Sequence, residues 1–311
     1  MVGSNIAAKR VAASHVLFNV IGTVICLIAL VPYGAFIQFL ETTLGLEPKM
    51  TIASAHGTFN ILNTFIQFPF ISLLVVLVTK LIPGEDEQIK YSTQYLDKSL
   101  VTSAPAVALG QVQKEFVEML ILSKKSLRNS VEYFMNREEQ LREKGETYED
   151  AINNFDEQIT NYLTLLFREK LSPKEGLIAS TLLDGTRDVE RIGDHARDIV
   201  LSVDYQIRKK LKFSDTAKAE VQEMYDLCND VILKTIKSLE ENNIALAGAA
   251  LAACENIYAL EKNARKQHTQ RMKDGVCEIP AGVVFMDLIQ HFTRVCEHTR
   301  NILEKEIQGQ L

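Results

Sequence analysis

The segment Glu190-Arg191-Ile192-Gly193-Asp194-His195-Ala196-Arg197-Asp198 carries three carboxylates at four-residue spacing. On a helix, Glu190, Asp194 and Asp198 fall at i, i+4 and i+8 along one face. Like charges so placed repel by roughly a few tenths of a kcal/mol per pair, so the face needs an offsetting partner. Arg187, Arg191 and Arg197 lie among the acids and can neutralise them on a solvated surface. A second pattern lies near the N-terminus. Ser14 to Thr23 matches Ala55 to Thr64, 41 positions on, with His15/His56, Phe18/Phe59, Asn19/Asn60 and Thr23/Thr64 identical. His and Asn at i, i+4 share a helix face. Polar groups in apolar surroundings cost free energy unless paired. These four residues either hydrogen-bond between helices or border a solute or ion pathway.

Nothing in the chain has the spacing of a catalytic apparatus. There is no GxxxxGK phosphate loop, no HExxH and no nucleophile elbow. Carboxylates on an exposed helix suit ion binding better than acid–base chemistry, which draws on perturbed groups in a cleft. The sequence reads as that of a non-enzyme.

The polar pairs near the N-terminus sit in apolar surroundings. From Val11 to Leu40 there is no Lys, Arg, Asp or Glu, and the same holds from Met50 to Thr79. Each stretch exceeds the ~20 residues that a helix needs to cross a bilayer. They predict spans over about 11–31, broken by Pro32-Tyr33-Gly34, and about 51–80, kinked at Pro69. The Ala35–Leu44 segment is too short to span and suits the interface. Lys9 and Arg10 precede the first span and Lys80 follows the second, which places both ends and the remaining chain in the cytoplasm of a cell-membrane protein. Residues 1–80 carry four cations and two anions, so residues 81–311 hold −8 of the overall −6. Such an acidic part excludes nucleic acid as a partner. The five cysteines form no CxxC pair and read as thiols in a reducing compartment.

Residues 82–97 read as a linker, with Pro83-Gly84 turning into acidic residues. Beyond it, helix starts recur at Ser103/Pro105, Thr147/Asp150, Ser172-Pro173-Lys174-Glu175, Ser214, Asn243 and Pro280. They predict six helices, roughly 104–142, 148–170, 173–211, 215–241, 244–274 and 280–308, with apolar residues at helical spacing. Asp184 to Ile199 aligns with Asp287 to Ile302 at a shift of 103, identical at 184/287, 191/294, 195/298, 197/300 and 199/302. The same shift pairs Phe155 with Tyr258. Three helices followed by the same three again is the economical reading. The domains are then 1–81, membrane, and 98–311, helical, with repeat units of about 104–211 and 215–308.

Glu190 to Ile199 resembles the signature helix of the PhoU phosphate-regulatory family, and Arg294 to Ile302 a degraded second copy. The resemblance covers roughly 95–308 and implies a pair of three-helix bundles. The fold class expected is therefore all-α, a transmembrane hairpin followed by a PhoU-like domain. Ala8 to Asn19 and Ala55 to Asn60 are similar to the last membrane stretch of bacterial sodium/phosphate cotransporters, many of which end in a PhoU-like domain. Those carriers have two inverted repeats with glutamine-serine-rich motifs, which this sequence lacks. It looks like the C-terminal part of such a transporter, beginning at an internal methionine.

The resemblance implies a function in sodium-dependent transport of inorganic phosphate, with a cytoplasmic regulatory domain. The alternative is a membrane-tethered phosphate-signalling regulator that transports nothing. Expected partners are phosphate and sodium (with the missing N-terminal part), membrane lipid, and a regulatory protein or a second copy. In the family the matching acid-x-x-x-acid pair coordinates metal ions on the bundle surface. Here that implies a divalent or iron-type ion at Glu190, Asp194 and Asp198, with Asp156 adding an oxygen. In the second unit Thr293 and Ala259 stand where Glu190 and Asp156 do, and Glu297 alone makes a poor site. His195 and His298 recur at matched positions, as ligands or as packing residues.

Overall fold

The computed structural model describes residues 6–83 and 89–311; residues 84–88 of the expected linker lie outside the described residues. Among the described residues the chain is helical and contains no strand. It forms two compact units, Met1–Gln88 and Ile89–Leu311.

In the first unit, α1 (Ile6–Ile28) is followed by α2 (Leu30–Leu44), α3 (Pro48–Gln67), a single 3-10 turn over Phe68–Phe70, and α4 (Ile71–Leu81). The first break falls at Ala29, not at the expected Pro32. Proline is harmless in a first turn, where its missing N–H would have no intrahelical partner. The kink expected at Pro69 is the 3-10 turn. Lys9–Ile28 and Pro48–Leu81 are long and apolar enough to cross a membrane.

The second unit begins with a strap lashed onto its first long helices. After the short α5 (Ser99–Ser103) come α6 (Pro105–Asn136) and α7 (Glu139–Leu166). Glu115 of α6, 1% exposed, accepts the backbone N–H groups of Gln94 and Tyr95. From α7, Asn154 Nδ2 donates to Tyr91 O, and the Tyr162 hydroxyl donates to Asp97 O at 2.7 Å. Much of the expected linker is thus bonded to the domain.

Helix α6 ends earlier than expected because Arg137 adopts the left-handed conformation (φ 59°), its N–H capping Tyr133 O. Helix α7 therefore starts at Glu139. Thr147 does not cap it: its hydroxyl turns back to Glu143 O from within the helix. Helix α8 (Pro173–Arg208) starts as expected, with Ser172 and Glu175 forming a reciprocal capping box. Ser214 caps α9 (Asp215–Glu241) and Asn243 caps α10 (Ile244–Cys254). Then follow α11 (Asn256–Lys273) and α12 (Ile279–Ile307).

The repeat is plain in the burial pattern. Helices α8 and α12 are buried at matched positions 103 apart: Leu182/Phe285, Val189/Phe292, Ile192/Val295, Ala196/Thr299 and Ile199/Ile302. The preceding helices do not keep that offset. Phe155 is 1% exposed, whereas Tyr258 is 39% exposed. A shift of 102 restores the match, with Ile152/Cys254, Phe155/Ile257 and Tyr162/Ala264 all buried. The second copy therefore has one residue more than the first between this helix and α12.

Ile244–Lys273 also has the length and hydropathy of a span. Its apolarity comes from the Ala-rich α10, where Ala247, Ala250 and Cys254 pack in a small core with Val231 and Leu303. The following helix carries Glu261, Lys262, Arg265 and Lys266, which suit a bundle surface. Its place is in the helical bundle.

Candidate functional site

Helix α8 carries both chemically interesting faces, and they diverge. Glu190 and Asp194 lie one turn apart, and Asp156 of α7 is close enough for its charge to act on Glu190. Burial pushes the Glu190 carboxyl above the usual range, and the Asp194 charge adds to this against the pull of Arg191. Burial likewise raises Asp156, countered in part by Arg187. Arg191 Nη1 stands 3.1 Å from Asp194 Oδ2, and Arg197 Nη1 3.6 Å from Asp194 Oδ1. Arginines therefore neutralise part of this face. Asp156 Oδ1 remains buried without a hydrogen-bond partner. An orphaned carboxylate oxygen near two further acids is a donor that a hard cation would satisfy, though Asp156, Glu190 and Asp194 do not bring three ligand atoms within 4.8 Å of one another.

Asp198 belongs elsewhere. Eight residues at roughly 100° each turn it about 80° around α8 from Glu190. It meets His195 and, from α12, His291; one ligand atom from each of the three lies within 4.8 Å of the others. His195 Nδ1 is 3.2 Å from His291 Nδ1. Burial, with the nearby His291 and His298, pulls His195 down to about 4. Burial also lowers His291, against the charges of Asp198 and Asp287. The three groups line a cavity of about 460 Å³ together with Ser202, Asp287, Gln290 and Arg294.

A second cluster faces this one across the seam. His298 Nδ1 lies 2.9 Å from Asp188 Oδ1, Asn301 Nδ2 donates to the same oxygen at 2.9 Å, and Lys305 Nζ stands 3.5 Å from Asp188 Oδ2. Adding 103 converts each member of the first set into its counterpart: His195 into His298, Asp198 into Asn301, Ser202 into Lys305. Subtracting 103 takes His291 to Asp188. The contacts exchange as under a two-fold axis, and the His195 and His298 rings approach at 5.6 Å between centroids near its centre. The sequence did hold a signal for His291: it is the mismatched partner of Asp188 in the repeat alignment.

In the first unit, His15, Asn19, His56 and Asn60 are exposed on the helix pair. Asn19 Nδ2 donates to His15 O at 2.8 Å, and Asn60 Nδ2 approaches His56 Nε2 at 3.2 Å, each within its own helix. The side chains that bond between helices, Gln67 and Tyr33, lie outside the matched segments. Gln67 Nε2 donates to Phe18 O at 2.9 Å, and the Tyr33 hydroxyl donates to Ala55 O. Asn63 packs against Gly22 so closely that a Cβ there would lie 2.3 Å from Asn63 Nδ2.

The model of the PhoU domain matches residues 116–203 and 221–305, more than half of the chain and one match per three-helix unit. The chain belongs to the PhoU domain family. The Thermotoga maritima phosphate-specific transport system accessory protein PhoU homolog 1 is 23% identical over 197 residues, 63% of this chain and 84% of that protein. The crystal structure of PhoU from Pseudomonas aeruginosa superimposes with a TM-score of 0.60 at 17% identity, covering 65% of this chain and 97% of that one. That of the phosphate transport system regulatory protein PhoU from Streptococcus pneumoniae gives 0.59 at 18% identity, with 65% and 95% coverage. These likenesses fall on the second unit's fold.

Proposed function

We propose that the chain is a membrane-tethered regulator of phosphate transport whose PhoU unit acts from the cytoplasm and catalyses nothing. The carrying observation is the union in one chain of a PhoU-family unit with two helical segments, Lys9–Ile28 and Pro48–Leu81, that are long and apolar enough to span. The names of the relatives, an accessory protein and a regulatory protein of phosphate transport, support this reading over transport by the chain itself. The basic residues flanking the spans supply the orientation. A divalent or iron-type ion at Asp156, Glu190 and Asp194 would neutralise acids that α7 and α8 bring together. The ion would tie one helix of the bundle to the next.

A second reading is favoured by one observation. His15, Asn19, His56 and Asn60 point outward from the helix pair, where polar groups at membrane depth call for a partner. In that reading the pair completes a sodium/phosphate carrier with further helices, and these residues meet them or a pathway. Reconstitution separates the two. Proteoliposomes holding this chain alone should take up labelled phosphate no faster than empty vesicles, with or without a sodium gradient. Cells deprived of the chain should lose the adjustment of phosphate uptake to external supply, and regain it with the chain restored. Sodium-driven uptake by the chain alone would replace the regulator with the carrier.

A further inference from the structure

The geometry points to a transition-metal site at the seam between the two three-helix units, with His195 and Asp198 of α8 and His291 of α12 as ligands. It is separate from the acidic face of Asp156, Glu190 and Asp194 and does not depend on the regulatory reading.

Three observations carry it. The first is the donor set. Two imidazoles and one carboxylate are the ligands of catalytic zinc sites and of non-haem iron(II), a combination chosen for borderline metals over magnesium or calcium. The second is the distance. Metal–nitrogen bonds of ~2.0–2.1 Å at a tetrahedral angle hold two nitrogens ~3.3 Å apart, and His195 Nδ1 and His291 Nδ1 stand at 3.2 Å. A carboxylate oxygen of Asp198 also lies within 4.8 Å of both imidazoles. The third is the contrast with the matched cluster. There the position of His291 is the acid Asp188, that of Asp198 is the neutral Asn301, and that of Ser202 is Lys305, whose ammonium faces the acid. One half of the seam contains its own cation. In the other half the lysine is replaced by a serine lining a cavity of about 460 Å³.

The remaining chemistry agrees. Both imidazoles are kept neutral by burial, the form in which imidazole ligates. Asp287 lines the same cavity and adds negative charge near His291. Arg197 Nη2 stands 3.2 Å from Asp198 Oδ1, and this ion pair restrains the carboxylate's orientation. Three protein ligands leave a fourth position open toward the cavity, where water or a small anion can enter.

Cobalt(II) gives a direct readout, because its visible absorption reports nitrogen and oxygen ligands at low coordination number. The full chain is purified in detergent, stripped with a chelator, and titrated with Co2+ in a Glu190→Ala/Asp194→Ala background that removes the acidic face. One equivalent should bind with visible bands. His195→Gln and His291→Gln should each weaken binding by about 100-fold or more, since even outer-shell changes cost about 10–100-fold. Asp198→Asn, a change of one atom at a half-exposed position, should weaken it while helix content by circular dichroism is unchanged. His298→Gln, in the matched cluster, should leave binding within about threefold. Unaltered cobalt spectra in His291→Gln, or a folded parent that takes up no cobalt, would overturn the assignment.

Discussion

Lys305 Nζ stands 3.5 Å from Asp188 Oδ2, and the matched position on α8 is Ser202, at the rim of the cavity beside His195. A lysine and a serine at equivalent places make the two halves of one seam chemically different. The half with the lysine is a closed ion pair reinforced by His298 and Asn301; the half with the serine is open.

The closed half should contribute to stability in a pH-dependent way. Burial alone would raise the Asp188 carboxyl, but hydrogen bonds from His298 and Asn301 and the charge of Lys305 outweigh it and leave it below the usual range. A carboxylate depressed in the folded state stabilises fully above its unfolded value of ~3.9, and that contribution disappears as pH falls through the folded value. Asp188→Asn should therefore lower stability at pH 7 by about 1–3 kcal/mol. Denaturant unfolding of both proteins near pH 3 should show the difference shrinking; an equal difference at both pH values would contradict the ion-pair account.

Glu306 should behave in the opposite sense. It is 3% exposed, its Oε2 lies 2.9 Å from the Ser238 hydroxyl, and its Oε1 has no hydrogen-bond partner. Burial raises its carboxyl above the usual range, with the Ser238 bond opposing. A raised acid favours the folded state most below its unfolded value of ~4.3, and the benefit is lost as pH rises through the folded value. Glu306→Gln should thus stabilise the protein at pH 7, by about 1–2 kcal/mol, and give little or nothing near pH 4. Thermal unfolding midpoints at the two pH values are the measurement, and a loss of stability at pH 7 would count against it.

Gly193 sits where α7 crosses α8. A Cβ at that position would lie 2.8 Å from Ile152 Cδ1. Gly193→Ala gains helix propensity but overpacks this contact, and should cost about 1–3 kcal/mol. Ile152→Val removes the offending methyl, so the double variant should be more stable than the sum of the two single changes predicts. Strict additivity would mean that the clash is relieved elsewhere.

The acidic face offers a separate test. Glu190→Ala with Asp194→Ala should remove one equivalent of hard-cation binding, measured with Mn2+ by calorimetry, and leave helix content intact. Unchanged Mn2+ stoichiometry would leave the arginines as the full answer to those carboxylates.

The repeat and most helix starts were legible in the sequence because local chemistry dictates them. Ser172 and Glu175 satisfy each other's backbone at the head of α8, and the 103-residue shift recurs wherever α8 and α12 are buried. The break between α6 and α7 was not legible, since it rests on an arginine in a left-handed conformation with no glycine to mark it. The outward direction of His15 and Asn60 was hidden for another reason. Composition locates polar residues on a helix face, but Asn63 and Gln67 win the inward face through packing against Gly22 and Phe18. The acidic face was legible as a pattern of charge. The His195–His291 approach was not, because it joins side chains 96 residues apart on two helices, and the one hint, His291 standing against Asp188 in the repeat alignment, does not say which residues meet.

The exchange of partners under the 103-residue shift has a consequence for descent. Contacts that run from position 195 to 291 and from 298 to 188 are those that one three-helix protein would make with an identical copy of itself. Such a homodimer would have been bound to carry two identical pockets, each change to one appearing in the other. In a single chain that obligation does not hold: the two pockets can differ, and here one carries Lys305 as a fastening while its twin carries Ser202 and open space.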